Sequence, residues 1–279
     1  MTTATIPAAP ARTRAVPAAA RQPGLPGALR SELTKILSVR STYWTLLGMV
    51  VASIGWAVLD CAGTVAHGAG PGFDAAQASL TGQVALGELI IVVLGALVIT
   101  SEYSTGMIRT SLAVMPRRGV LYAAKAIVFA AVTLTISLVT SFLDFFVGQA
   151  ILASKHYNTT LTHPGVLRAI LLSAAIVTVF GLLAYGTGAI IRHTAGAITA
   201  ILGVIFLIPA LAQALPTSWF QAIIRWLPGG QALLPIARAS SVPPGNHYLF
   251  SAWGEFAVFS GYAAILLALG AWLFIRRDA

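Results

Sequence analysis

The chain has 279 residues, of which 57% are hydrophobic and only 9% are charged, and its formal net charge is +9. Water-soluble domains carry about 25% charged residues, so this composition excludes an ordinary water-soluble protein. The single cysteine, Cys61, excludes a disulfide within the chain.

The N-terminal residues divide into a tail and an amphipathic segment. Residues 1–28 are rich in Ala and Pro and have no acidic residue, so we predict a disordered cytoplasmic tail ahead of a membrane domain at 29–279. The segment 29–40, LRSELTKILSVR, has helical spacing, with Glu32, Lys35 and Ser38 on one face. We predict an elbow helix along the membrane surface; the alternative is a cytoplasmic extension of the first span. The opposite face carries Leu29, Leu33, Ile36, Leu37 and Arg40.

Six apolar segments are long enough to cross a bilayer, which needs about 20 residues. Backbone groups inside hydrocarbon must bond within their own segment, so each is predicted to be a helix. The predicted fold class is all-α: a polytopic membrane protein with six transmembrane helices. The predicted spans are 43–60, 83–101, 126–147, 166–191, 195–215 and 252–275.

The basic residues predict the orientation of these spans. Four of the 17 lysines and arginines fall on one side, and the other 13 fall on the side of the two termini. The positive-inside rule therefore predicts that both termini are cytoplasmic, and nucleic-acid binding is not needed to explain the net charge. The four residues on the outer side are Lys155, Arg168, Arg225 and Arg238.

Between the second and third predicted spans the sequence reads SEYSTGMIRTSLAVMPRRG. Glu102 and Gly106 indicate a turn out of the membrane, and Pro116 ends the short helix that follows. We predict a cytoplasmic helix with an apolar stripe, and with Arg109 on a neighbouring face. It either docks on another protein or lies on anionic lipid headgroups, which the basic residues after Pro116 would also favour. The stripe comprises Met107, Ile108, Leu112 and Met115.

Four acidic residues fall near the outer ends of predicted spans: Asp60, Glu88, Asp144 and Glu255. Ionisable residues in spans mark a transport path or are paired within the protein. One interpretation is pairing with the outer basic residues. The other is an acidic vestibule for a cationic or amphipathic substrate, with Glu88 and Asp144 as residues of a translocation path.

The remaining motifs argue against an enzyme. The sequence has no HExxH, no GxSxG, no phosphate-binding GxxxxGK[ST] and no clustered Cys/His set. The segment 216–251 is Trp-rich and is interrupted by Pro228, Pro235, Pro243 and Pro244, so we predict that it lies on the outer leaflet or dips into it as short helices before the last span.

The chain resembles, over most of its length, the permease subunits of ABC-2-type bacterial ABC exporters. The resemblance is carried by the elbow LRSELTKILSVRSTYWTLL, the six-span layout, the E-Y-x-x-G-x-I-R-x-x-L pattern at 102–112 and the long outer segment before the last span. Many relatives have Thr after the glycine of this pattern, where this chain has Met107, so no hydroxyl role is implied there.

The resemblance implies a bacterial plasma-membrane exporter subunit that works as a dimer with a second permease chain. In that family the loop after span two forms a coupling helix that docks on a separate ATPase subunit. ATP and Mg²⁺ would be bound by that partner, and this chain would need no cofactor of its own. The residues implied in the contact are Glu102, Tyr103, Gly106, Met107, Ile108, Arg109 and Leu112.

Two other classes of function stay open. A stand-alone ion-coupled carrier would use Glu88 and Asp144, although the inverted repeats usual in carriers are not evident. An integral-membrane enzyme would need a catalytic set that the sequence does not display. Substrate, transport direction and the choice between homodimer and heterodimer are not encoded in a recognisable motif.

Overall fold

The computed structural model describes residues 24–115, 117–214, 234–240 and 251–276. Within these residues the regular secondary structure is entirely helical, with no strand, which confirms the predicted all-α class. Of the predicted tail, residues 1–23 lie outside the described part. Helix α1 begins at Leu25 with Pro26 in its first turn, a position that proline favours, so the predicted boundary at 28/29 falls inside this helix.

The helices follow one another with short connections, and two of the longer helical segments contain a π-helical turn. In chain order they are α1 (Leu25–Ser38), α2 (Arg40–His67), α3 (Ala75–Gly82), a π segment (Gln83–Gly87), α4 (Glu88–Ser104), α5 (Met107–Val114), α6 (Arg118–Leu152), a 3₁₀ turn (Ala153–Lys155), α7 (Val166–Ile191), α8 (Thr194–Leu202), a second π segment (Gly203–Leu207), α9 (Ile208–Ala214), α10 (Leu234–Ala237) and α11 (Ala252–Arg276).

Five helical segments are long and apolar enough to cross a membrane, which fits a multi-pass integral membrane protein. They contain five of the six predicted spans. The remaining prediction, 195–215, is helical from residue 194 to 214, but its apolar part, Thr194–Leu207, is shorter than a span. The described residues therefore do not confirm the sixth span. The five segments are Arg40–His67, Ala75–Ser104, Arg118–Lys155, Val166–Ile191 and Ala252–Arg276.

Helix α7 lies at the centre of the bundle. Within its most apolar stretch 67% of the residues are buried, against 22% for α2 and for α11. It packs against α4, α6 and α11; Phe180 is fully buried in the main apolar core, and Tyr185 is fully buried in the apolar cluster nearer the end of α7. The outer faces of α2 and α11 keep large apolar side chains exposed, among them Trp44 and Trp253, as expected for helices that face lipid.

The bundle has two ends. The end that carries α1 and α5, together with the last turns of α4 and α7 and the first turns of α6, is called here the α1 end. The end that carries the segment 68–74, the segment 156–165 and the residues 234–240 is called the opposite end.

Helix α1 buries residues of both predicted faces. Ala28, Glu32 and Ile36 are buried against the bundle, whereas Leu33 and Leu37 are 41% and 47% exposed. The side of α1 that faces the bundle therefore coincides with neither predicted face, because it combines Glu32 of the polar face with Ile36 of the apolar face. The reason is that Glu32 meets lysine side chains of the bundle, while the leucines lie on the side of α1 that faces away from it.

Candidate functional site

Three buried charged side chains and the partly exposed Lys35 form an ionic network at the α1 end. Lys125 Nζ lies 2.6 Å from Glu32 Oε2 and 2.8 Å from Glu102 Oε1. Lys35 Nζ lies 2.7 Å from Glu32 Oε1 and 3.4 Å from Glu102 Oε1. Each lysine thus bridges both carboxylates, and the network joins three helices: α1, α4 and α6.

The network also reaches α5. The Lys35 ammonium donates to the hydroxyl of Ser111 over 3.4 Å. The network therefore connects α5 to α1, α4 and α6. Because opposite charges are held together out of water, loss of one member leaves its partners uncompensated in a poorly solvated site.

This network shifts the pKa values of Glu32 and Lys35, the two charged residues that α1 contributes to it. Burial disfavours the Glu32 carboxylate, but attraction by Lys125 and hydrogen bonds from both lysines outweigh burial, so the pKa of Glu32 is lowered. Burial likewise disfavours the Lys35 ammonium, but its hydrogen bond and attraction to Glu32, followed by those to Glu102, raise the pKa of Lys35. Both shifts favour the ion pairs at neutral pH.

The predicted loop residues divide between two helices and one turn. Glu102 and Tyr103 are not in a loop but in the last turns of α4. Gly106 has a φ of 70°, the left-handed region, and starts α5 directly after Thr105 ends α4. Glycine adopts this conformation without the steric cost that a Cβ imposes. The prediction of a turn at Gly106 is therefore confirmed.

The predicted apolar stripe of α5 packs mostly on the protein itself. Ile108 and Met115 are buried in an apolar cluster of the α1 end, and Leu112 packs partly against it. Met107 alone of the stripe is exposed, at 49%. Ile108 is therefore not accessible for the contact that the resemblance implies, because α5 docks onto its own bundle through this side chain and through Met115.

The exposed face of α5 is formed by other side chains. Met107, Thr110 and Ala113 are exposed at a three-residue spacing, and Arg117 is exposed just after the helix. The side chain of Arg109 lies outside the described residues. A partner approaching α5 from outside would meet this face, which is called here the α5 face.

Tyr103 connects the end of α4 to α7 and α11. The guanidinium of Arg192, just after α7, lies 4.9 Å from the centre of the Tyr103 ring, within cation–π range. The Phe274 ring of α11 approaches the Tyr103 ring edge-on at 6.4 Å between centroids. Tyr103 is thus a packing residue inside the bundle end and is only partly accessible.

The structure places Glu88 and Asp144 inside the bundle. Their exposed fractions are 1% and 0%, so neither carboxyl lines an open outer vestibule. Asp144 accepts a short hydrogen bond from the hydroxyl of Ser53 on α2 through Oδ2, while Asp144 Oδ1 and Glu88 Oε1 have no hydrogen-bond partner.

The predicted pairing of these acids with outer basic residues is not found where the structure describes both partners. The Arg168 guanidinium donates to the Arg238 and Ala239 carbonyls, and the Arg238 guanidinium donates to the Gly72 carbonyl and to Gln77. Lys155 is exposed. Arg225, the fourth of these basic residues, lies outside the described residues.

The two other acids near the opposite end differ from each other. Asp60 is partly buried and bonds to Thr81, beside a cavity of about 230 Å³ lined mainly by the segment 70–74 and α3. Glu255 is buried near the start of α11 and is engaged in an interaction within the protein.

A polar clasp at the opposite end was not predicted from the sequence. Asp74 starts α3 by accepting from the Gln77 amide, and it also accepts from the amide and the hydroxyl of Ser240. Burial works against the carboxylate, but these bonds outweigh it and lower the pKa of Asp74. With the bonds of Arg168 and Arg238, the clasp fixes residues 238–240 to α3 and α7.

Sequence reasoning also missed the charge network, although a signal was present. Lys125 sits at the border of an apolar segment and Glu32 lies in the amphipathic elbow. A charge in either place needs a partner or an aqueous surface. What the sequence lacks is the register that brings residues 32, 102 and 125 together.

Comparisons with known proteins do not identify a family. No family model matches the sequence. No curated protein matches it either. Among the described residues, no group of three or more His, Cys, Asp or Glu side chains is arranged to hold a metal ion.

Proposed function

We propose that the chain is the permease subunit of an ATP-driven exporter of the ABC-2 type, resident in a bacterial plasma membrane. Two such chains enclose the translocation path, and a separate ATPase subunit binds ATP and Mg²⁺. In this proposal the α1 end faces the cytoplasm, both termini are cytoplasmic, and the helical segment 194–214 is the fifth of six spans.

One observation carries the proposal: α5 is exposed on one face and tied to the bundle on the other. Its buried side chains, Ile108 and Met115, anchor it in the apolar cluster of the α1 end. The charge network beside it links the Ser111 hydroxyl to α1, α4 and α6. A short helix held in this way transmits a push on its α5 face to the candidate spans on both sides of it.

The roles of the predicted contact residues follow from their positions. Met107, at the rim of the α5 face, is accessible to a partner, and Gly106 sets the direction of the helix. Glu102 and Ile108 do not contact the ATPase, because both are buried. They transmit the movement of α5 to the rest of the bundle. Tyr103 and Leu112 brace α5 and the end of α4 against the bundle. Arg109 keeps its proposed contact role from the family resemblance.

The basic residues support the proposed orientation. Lys35, Arg40, Arg117, Arg118 and Arg192 all lie at the α1 end or next to it, and cytoplasmic flanks of spans carry the excess of Lys and Arg. Two exposed aromatic side chains near the start of α2, Tyr43 and Trp44, suit the adjoining interface.

Affinity purification of the tagged full chain from its native membrane tests this function. We expect a protein with a phosphate-binding loop to co-purify. The substitution Met107→Asp, which puts a charge on the α5 face without touching the core, should release that protein. Thr160→Asp at the opposite end is the matched control and should retain it. Absence of any nucleotide hydrolase, or equal recovery with Met107→Asp, would contradict the proposal.

A second candidate is an ion-coupled carrier, and the specific observation that favours it is the burial of Glu88 and Asp144 with one unpartnered oxygen each. Such groups in a membrane protein often belong to an ion path. Transport measured in sealed vesicles distinguishes the two candidate functions. A carrier moves solute when only an ion gradient is present, whereas an ABC permease needs its ATPase and ATP.

A further inference from the structure

A cavity of about 230 Å³ lies between α2 and α3 at the opposite end of the bundle and is called here the α2–α3 cavity. Asp60 and Thr64 line it from α2, and Gln77 and Thr81 line it from α3. The two residues of each pair are four positions apart, so they lie on the same face of their helix. The facing sides of the two helices therefore form two walls of one cavity.

The segment 70–73 forms a third wall, which the clasp holds in place. The Gly72 carbonyl accepts from the Arg238 guanidinium over 2.8 Å. Within the segment, the Phe73 amide donates to the Gly70 carbonyl over 3.2 Å and closes a turn. The first three residues of the segment are exposed, so the cavity opens to the surface. Its walls are fixed before any ligand arrives, as in most small-molecule sites.

The α2–α3 cavity lies at the level of a membrane interface. Asp60 follows Arg40, the first residue of α2, by 20 positions, which corresponds to a rise of about 30 Å along the helix. The hydrocarbon core of a bilayer has about this thickness. Because Arg40 lies at the α1 end, the Asp60 carboxyl lies in the headgroup region at the opposite end, where water and lipid headgroups both reach it.

Asp60 brings a negative charge that the described residues do not balance. None of the basic side chains in the described part of the chain forms an ion pair with it. It accepts a hydrogen bond from the Thr81 hydroxyl, but the single proton of that hydroxyl is also directed at the Gln77 carbonyl, 2.8 Å away. A carboxylate that is partly buried and poorly compensated in a cavity wall favours a positively charged ligand.

The other charges beside the cavity are engaged with each other's surroundings in the clasp. Asp74 accepts from the Gln77 amide and from the amide and hydroxyl of Ser240. The Arg238 guanidinium donates to the Gln77 side chain. Asp74 and Arg238 carry opposite charges within this one clasp, so the net charge that a ligand in the cavity meets is that of Asp60.

Phe73 adds an aromatic ring to the cavity wall. Its ring packs against the ring of Tyr157, with 6.1 Å between the ring centroids, which fixes its position. Aromatic rings attract ammonium groups electrostatically. Thr64 Oγ1 donates its proton to the Asp60 carbonyl over 3.1 Å, so its lone pairs remain able to accept from a ligand. A carboxylate, an aromatic ring and a hydroxyl oxygen in one cavity together suit an organic ammonium.

The same walls disfavour other classes of ligand. The carboxylates of Asp60 and Asp74 repel an anion. Among the described residues, no three His, Cys, Asp or Glu side chains are grouped to hold a metal ion. An apolar ligand would displace water from the polar groups and leave them unpaired. Because pockets for drug-sized ligands start at about 300 Å³, this cavity suits a small molecule or the cationic group of a larger one.

We propose that the α2–α3 cavity binds the ammonium group of an organic cation, with Asp60 as its charge partner and Phe73 as its aromatic contact. The cationic ligand expected from the sequence thereby belongs to Asp60, and not to Glu88 or Asp144. The ammonium belongs either to a solute in the water at the opposite end or to the headgroup of a membrane lipid. The site lies within one chain and needs neither the α5 face nor an ATPase, so a failure of the exporter function would leave it intact.

The test uses the purified full chain in nanodiscs of phosphatidylglycerol, a lipid without an ammonium group. The probe is ethanolamine, which is a cation at neutral pH, and ethylene glycol is its neutral analogue. Binding is measured by saturation-transfer NMR from the protein to the probe, with empty nanodiscs as the background. We expect saturable binding of ethanolamine and no binding of ethylene glycol at the same concentrations.

Two variants test the proposed contacts, and a third is the matched control. Asp60→Asn removes the charge at nearly constant shape and should weaken ethanolamine binding about tenfold or more. Phe73→Leu keeps an apolar side chain without the ring and should weaken binding about threefold. Glu255→Gln removes one negative charge near the same end of the bundle but outside the cavity, so it should bind ethanolamine like the wild type.

Phosphatidylethanolamine added to the nanodiscs identifies the source of the ammonium. If lipid headgroups occupy the cavity, this lipid should displace ethanolamine from the wild-type chain. If a solute is the ligand, ethanolamine binding should be undiminished. Both results support the ammonium site, and they assign it to a lipid or to a solute.

Thr64→Phe keeps the test informative if Asp60→Asn does not fold. This variant fills the cavity while it retains Asp60 and Phe73, so it should abolish ethanolamine binding. The proposal is overturned if the wild type binds ethanolamine no better than ethylene glycol, or if Asp60→Asn or Thr64→Phe binds it like the wild type. It is also overturned if Glu255→Gln weakens binding as much as Asp60→Asn does.

Discussion

Lys125 Nζ lies 2.6 Å from Glu32 Oε2, although the two residues are 93 positions apart in the chain. This ion pair fixes helix α1 to the first turns of α6, and Glu102 extends it to α4. The contact makes α1 a part of the bundle end.

Removal of the Lys125 charge should destabilise the fold strongly. Lys125→Met leaves two buried carboxylates with only the partly exposed Lys35, and breaking a buried pair in this way costs about 3–5 kcal/mol. Unfolding in mixed detergent micelles measures the loss. Lys35→Met is the matched control, since the Lys35 side chain is 36% exposed, and should cost about 1 kcal/mol or less.

The double variant Glu32→Gln/Lys125→Met should recover part of that loss, because it removes one negative and one positive charge together. A double variant no more stable than Lys125→Met alone would show that the residues do not act as a pair.

The stability of the chain should fall on acidification in a way that Glu32 and Asp74 explain. Both have a folded-state pKa below the usual values of 4.5 and 3.8. Their contributions are complete above these values and are lost as the pH falls through the lower folded-state pKa. Unfolding measured from pH 6 downward should therefore show an acid limb (about pH 5 to 2) that Glu32→Gln and Asp74→Asn each reduce.

The raised pKa of Lys35 has the opposite sign. Its contribution is complete below the usual value of 10.5 and is lost as the pH rises through the higher folded-state pKa. Between the acid and alkaline limbs the network should contribute a constant stability. An acid limb that neither carboxyl variant alters would contradict these assignments.

Gly106→Ala should destabilise the turn between α4 and α5. The residue has a φ of 70°, and the cost for a residue with a Cβ is about 1 kcal/mol, although no neighbouring atom lies within 4 Å. Gly106→Asn should cost less, because Asn tolerates this region. Gly63→Ala is the control: that glycine lies inside α2 with open space around it, so alanine should stabilise the helix by about 1 kcal/mol.

Asp74→Ala should open the clasp at the opposite end. The amides of Gln77 and Ser240 both donate to this carboxylate, at 2.9 and 2.8 Å, so both should exchange with deuterium faster when it is removed. Loss of a helix N-cap costs about 1 kcal/mol. Ser240→Ala removes only the hydroxyl donor and should leave exchange at the Gln77 amide unchanged. Equal protection in Asp74→Ala would contradict the clasp.

The sequence predicts the helices of this protein better than their faces. The lengths of the apolar segments, together with the helix-breaking residues Gly106 and Pro116, are sufficient to predict a short helix between two spans, because these are local properties of the sequence. The orientation of α1 was not predictable by the same means. The polar face of a surface helix points outward when water is its partner. Here Glu32 and Lys35 pair instead with Lys125 and Glu102, which lie far away in the chain.

The same limit applies to the buried acids. The spacing of Ser137, Ser141 and Asp144 along α6 is visible in the sequence and indicates a polar face. That this face meets Ser53 and Gln83, instead of a vestibule, depends on the packing of α2 and the π segment against α6. Helix packing is a tertiary property that composition and periodicity do not specify.

The central claim is that α5 receives its force from an ATPase in the cytoplasm. The most direct measurement is light-induced crosslinking in the native membrane from a benzophenone amino acid in place of Thr110, on the α5 face. We expect a crosslink to a protein with a phosphate-binding loop, and none from the same amino acid in place of Thr160. The claim would be contradicted if position 110 crosslinked to no nucleotide-binding protein. It would also be contradicted if only reagents added outside the cell reached this position.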